Sequence, residues 1–64
     1  MVTITKLNGL QVVINSELIE LIEATPDTTI TMTTGRKVIA KEPVDEIIAK
    51  VIEFKSKISR YPQT

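Results

Sequence analysis

Only two glycines occur in the 64 residues, and each follows a polar residue between two β-rich runs: Asn8-Gly9 and Thr34-Gly35. Glycine enters positive φ without steric cost, so such sites are where a chain reverses between paired strands. Asn-Gly in particular favours a two-residue type I′ turn. The sequence therefore predicts a first hairpin over residues 2–7 and 10–14. In that register Thr5 faces Val12 and Thr3 faces Ile14, on the side of Leu7 and Leu10. Val2, Ile4 and Val13 fall on the other side, so both faces are partly apolar and both are expected to be covered. A two-residue loop at Thr34-Gly35 pairs Thr33 with Arg36, Met32 with Lys37 and Ile30 with Ile39. Ile30, Met32 and Ile39 then share the core face, and the threonines around them read as β-propensity on a solvated face.

Between the hairpins, residues 16–25 fit two patterns. Leu18, Leu21 and Ile22 have helical spacing with Ser16 as a cap. Leu18, Ile22 and Ala24 against Glu17 and Glu23 fit a strand equally well. Pro26-Asp27 makes a turn into the next strand, and segments joined by a tight turn usually pair. That favours a turn near 15–18 and a strand near 19–25.

The C-terminal third reads as a helix over 43–58. Pro43 suits a first helical position, and Asp45 and Glu46 at one end with Lys55 and Lys57 at the other match the helix dipole. Val44, Ile47, Ile48, Val51, Ile52, Phe54 and Ile58 fall within an arc of roughly 160°. Packing on the sheet is expected through Val44, Ile48, Val51 and Ile58, with Glu46–Lys50 and Glu53–Lys57 as i,i+4 pairs on the solvent side. The expected fold class is α+β: a small antiparallel sheet of about five strands followed by one C-terminal helix. A single domain spans 1–58, and 59–64 is expected to be a frayed tail.

Composition excludes more chemistry than it suggests. The chain has no Cys and no His, which removes thiolate and imidazole chemistry at once. Ser16, Ser56 and Ser59 have no imidazole partner for a hydrolase triad. Glu17, Glu20 and Glu23 recur every three residues with Asp27 beyond. Paired carboxylates can hold a divalent ion or exchange protons, but nothing else in the chain completes such a site, so these read as a solvated or interface face. No catalytic residue, metal ligand or cofactor is expected.

The formal net charge is zero, but it is unevenly spread. Residues 1–35 carry one positive and four negative groups, net −3; residues 36–64 carry seven and four, net +3. One acidic and one basic half suit self-association or docking to a charged protein better than nucleic-acid binding. The N-terminus lacks the basic start and apolar run of a secretory signal, and no stretch approaches the roughly 20 apolar residues of a membrane span. A cytoplasmic location is expected.

Several strings in the chain resemble a known family. These are Leu7-Asn8-Gly9, Asn15-Ser16-Glu17-Leu18-Ile19, the block Glu23-Ala24-Thr25-Pro26-Asp27-Thr28, and Thr34-Gly35-Arg36-Lys37. Together with Glu42, Val44 and Glu46 at the helix start, they resemble the FlbD family of small bacterial flagellar proteins. The family often has Asn where this chain has Thr34. The resemblance implies a non-enzymatic accessory protein supporting motor power and swarming, acting on flagellar motor or assembly proteins at the cytoplasmic face of the motor. It brings no catalytic residues. Glu23, Pro26, Asp27 and Lys37 are the candidate partner-binding residues, with the plain alternative that Pro26 and Asp27 simply form the turn. The layout of five strands and a helix is also similar to the carbon-storage-regulator family of RNA-binding translational regulators. Here, however, Lys6 and Glu42-Pro43 stand where that family has its RNA-binding arginines.

Overall fold

The computed structural model describes residues 1–59, with side chains to residue 57. Residues 60–64, most of the expected frayed tail, lie outside the described residues, as does the Ile58 side chain. The order is β1 (Val2–Thr5), β2 (Gln11–Ile14), a 3-10 turn (Ser16–Leu18), β3 (Ile19–Glu23), β4 (Thr28–Met32), β5 (Lys37–Ala40) and α1 (Val44–Ser59). The α+β expectation holds, with the five strands divided between two antiparallel sheets, β1-β2 and β3-β4-β5.

Both hairpins use a loop one residue longer than expected. In the first, Gly9 N–H donates to the Lys6 carbonyl (2.9 Å) and Lys6 N–H to the Leu10 carbonyl (2.8 Å). In the second, Gly35 N–H donates to Met32 (2.8 Å) and Met32 N–H to Arg36 (2.8 Å). Gly9 and Gly35 sit at φ +90° and +92°, and no other described residue has positive φ. This is the three-residue loop in which glycine alone takes the left-handed position. A type I′ turn would also force Asn8 and Thr34 to positive φ, which is costly for β-branched Thr34.

The longer loop moves each register by one residue, which turns every side chain to the opposite relation. Val2 pairs with Ile14 and Ile4 with Val12, so the four apolar residues share one face. The expected Thr5–Val12 and Thr3–Ile14 pairs are thus corrected, as is the expectation of cover on both faces: Val13 on the far side is 66% exposed. In the second hairpin Ile30 pairs with Val38, not Ile39. Val38 packs against the core, and Ile39, expected inside, is exposed.

Residues 19–23 are strand. Asn15, not Ser16, caps the preceding turn, its side chain accepting from Glu17 N–H at 3.0 Å, while Ser16 is buried. β3 pairs with β4 through Ile22–Ile30 and Glu23–Thr29, with a register irregularity between Ile19 and Leu21. A bulge inserts one residue and resets the pleat. Ile19 and Ile22, three apart, can therefore both reach the core. Of the Leu18, Leu21 and Ile22 spacing that suggests a helix, only Ile22 reaches the core. Leu18 and Leu21 are left exposed. The link to β4 contains a cis Thr25–Pro26 peptide.

Pro43 lies just outside α1, and its carbonyl accepts from Glu46 and Ile47 N–H at 3.0 and 3.2 Å. The core comprises Val2, Ile4, Ile30, Met32, Ala40 and Ile47. The helix enters it through fully buried Ile47, supported by Val51 and Phe54. Ile48, expected to pack, is exposed, and Val44 is only half-buried. The helix is rotated toward the 47/51/54 line because that line packs on β1 and the core. Glu53 and Lys57 form the expected pair at 3.4 Å, but it is exposed and contributes little. Ile47→Ala is expected to destabilise the chain by about 2–5 kcal/mol in urea unfolding. Ile48→Asp is expected to leave it folded, and the reverse order would remove this helix face.

Candidate functional site

Two backbone contacts bring the sheets together. Lys6 and Ala40 form an antiparallel bridge, and Lys41 N–H donates to the Thr5 carbonyl at 2.8 Å. The next residue, Glu42, is buried beside them, at 8% exposure. Its two carboxylate oxygens accept from Thr5 N–H at 3.0 and 2.9 Å. Lys50 of α1 lies 3.5 Å from the same carboxylate and donates to the Thr3 carbonyl at 2.8 Å. Lys50 therefore joins β1 and Glu42 instead of pairing with Glu46. Burial alone would raise the Glu42 carboxyl. Hydrogen bonds from its own backbone and from Thr5, with the Lys50 ammonium, outweigh that and hold it below its ordinary value of 4.5.

With the first hairpin held against β5 in this way, a groove of about 1030 Å³ opens between β2 and the β4–β5 hairpin. Val12, Ile14, Met32 and Val38 line it, with Val13 and Ile39, the two residues that the shifted registers turned outward. Among the described residues Lys6, Arg36 and Lys37 are its charged lining, with no carboxylate. Among the described residues none of these three cations enters an ion pair. The site is thus an apolar surface with positive charge, suited to holding an acidic, partly apolar segment. No described cluster of three or more carboxylates is arranged to hold a metal ion.

The four candidate partner residues do not form one site. Glu23 ends β3, and Pro26 and Asp27 lie in the exposed turn that follows. Lys37 begins β5 and lines the groove. β4 stands between them, pairing with Glu23 through Thr29 and with Lys37 through Thr31. Sequence reasoning missed the structural role of Glu42. The signal available was a carboxylate immediately before the helix-starting Pro43, with a lysine eight residues on.

A family model of flagellar and swarming motility proteins, FlbD, matches residues 1–59. The chain belongs to the FlbD family. No curated protein and no solved structure shows a match to it. The RNA-binding alternative gains no support from this membership. At the place where its second arginine would fall, this FlbD protein has a buried carboxylate facing Thr5. No helix among the described residues is long and apolar enough to cross a membrane.

The Glu42 carboxyl is lower in the folded than in the unfolded chain, so its stabilisation is present above the unfolded value. It is lost as pH falls through the depressed folded value. The melting temperature is therefore expected to drop on acidification below about pH 4.5. In Glu42→Gln that acid slope should be smaller, and thermal melts of both proteins between neutral and acid pH check it.

Proposed function

We propose that this protein is a non-enzymatic accessory factor of the bacterial flagellum, of the swarming-motility (SwrD-like) type. It supports motor power by binding protein partners at the cytoplasmic face of the motor. The observation that carries the reading is the family match over residues 1–59. The surface supports it: nine large apolar side chains are exposed among the described residues, beside unpaired charges of both signs. Side chains of that kind gain free energy only when a partner covers them. The chain has no His or Cys to supply a base, a nucleophile or a soft metal ligand. The acidic turn with Glu23, Pro26 and Asp27, and the groove with Lys37, are separate contact surfaces in this reading. Self-association belongs to it as well, because the acidic and basic halves of one copy complement those of another.

Deleting the gene is expected to leave growth and filament number unchanged while reducing swimming torque and swarming under viscous load. Normal motility under load, with this the only copy, would overturn the reading, and loss of filaments would move the role to assembly or expression. Glu23→Lys with Asp27→Lys tests the acidic turn: a folded variant that fails to restore swarming supports docking there, and a fully active one removes it.

A further inference from the structure

We propose that two copies of this chain pair reciprocally, each laying the acidic outer side of β3 along the basic apolar groove of the other. This rests on the reading that the protein works through protein contacts, and it names the surface on which the chain meets itself. Lys6, Arg36 and Lys37 line the groove with no carboxylate among them and no ion pair of their own among the described residues. The same chain displays the complement. Glu17, Glu20 and Glu23 are exposed along the 3-10 turn and β3, three carboxylates for three cations, with Leu18 and Leu21 exposed between them at 42% and 43%. An apolar surface edged by cations and an apolar strand edged by carboxylates match in both respects.

Strand pairing points the same way. Among the described residues β2 pairs only with β1, and β3 only with β4, so each leaves one edge without a ladder partner there. β2 lines the groove through Val12, Val13 and Ile14. Open edges of this kind take up strands from other chains. The two surfaces also adjoin, because Leu18 lines the groove and immediately precedes β3. A two-fold axis near Leu18 therefore lets groove meet strand twice in one closed, self-complementary contact, with Leu18 of each copy near the other. The single chain has reason to pair: among the described residues six apolar residues form its buried core, against nine large apolar residues exposed. A domain of this size buries only about 60% of the surface its unfolded chain exposes.

Sedimentation velocity decides the matter. The wild-type protein is expected at twice the 7.1 kDa chain mass, with dimer weakening as salt rises. Arg36→Glu with Lys37→Glu, and separately Glu20→Lys with Glu23→Lys, should each weaken the dimer about tenfold or more. All four sites are exposed, so both variants should keep the wild-type circular dichroism spectrum. An equimolar mixture of the two should regain the dimer, because each groove then meets a strand of opposite sign. A wild-type chain that stays monomeric up to about 0.5 mM overturns the proposal and leaves the groove to another acidic segment. A dimer indifferent to both reversals, or a mixture that fails to recover, also overturns it. If a reversal prevents folding, Leu18→Cys gives a second reading in a chain with no cysteine of its own. Oxidation should join two copies at that position, and a thiol that stays monomeric under oxidation counts against the axis. A monomeric protein whose deletion still reduces swarming would defeat this inference, and self-association with it, but leave the proposed role in motility standing.

Discussion

The contact on which the rest depends is one buried carboxylate. Glu42 faces Thr5 N–H with both oxygens and has Lys50 beside it, and so joins the end of β5, the end of β1 and the first half of α1. Burying a charge is unfavourable unless hydrogen bonds and an opposite charge replace the lost water. Here Thr5 N–H, at the end of the β1 strand, supplies two contacts, and Lys50 spends a second donor interaction on Thr3. Removing Glu42 would leave the Thr5 N–H without its acceptor and the Lys50 ammonium without its counter-charge, a loss typically worth about 1–3 kcal/mol. The β1-β2 hairpin shares little ladder with the other sheet, so this junction sets its angle.

That angle, together with the hairpin registers, makes the groove. The three-residue loops put Val2, Ile4, Val12 and Ile14 on one face and Ile30 opposite Val38. The same one-residue step carries Val13 and Ile39 to the outside, where they line the groove. Core formation and surface formation are therefore one event in these strands, because the side-chain period of two leaves no intermediate choice. The basic lining follows from the loops as well: Lys6 closes the first and Arg36 the second, and Lys37 begins the strand after it.

Family membership places the protein among flagellar and swarming motility proteins. Glu20, Glu23 and Asp27 lie on the edge strand and the turn after it. The groove cations lie on the two hairpins. Exposed Leu7, Leu18 and Ile39 line the groove, and exposed Leu21 lies on β3. A surface built in this way gains free energy by being covered, with charge setting the orientation of what covers it.

The sequence alone determined the elements. Glycines at 9 and 35 marked the reversals because only they could enter positive φ, and the apolar repeat after Pro43 marked the helix. The opposed charge of the two halves was also legible, as were the absent thiol and imidazole. Tertiary structure decided what local pattern left degenerate. Asn-Gly and Thr-Gly each permit a two- or three-residue loop, and burial of Val2 with Ile14 and of Ile30 with Val38 selected the longer one. The bulge between Ile19 and Leu21 lets Ile19 and Ile22, three apart, both reach the core from one strand, and the pairing with β4 that fixes it was available only in the folded chain. Ile47 displaced Ile48 from the core because an arc of apolar residues does not say which line within it meets the sheets. Glu42 looked like any surface carboxylate until Thr5, 37 residues away, met it. Contacts between distant residues depend on how elements dock, and that is set by packing all of them at once.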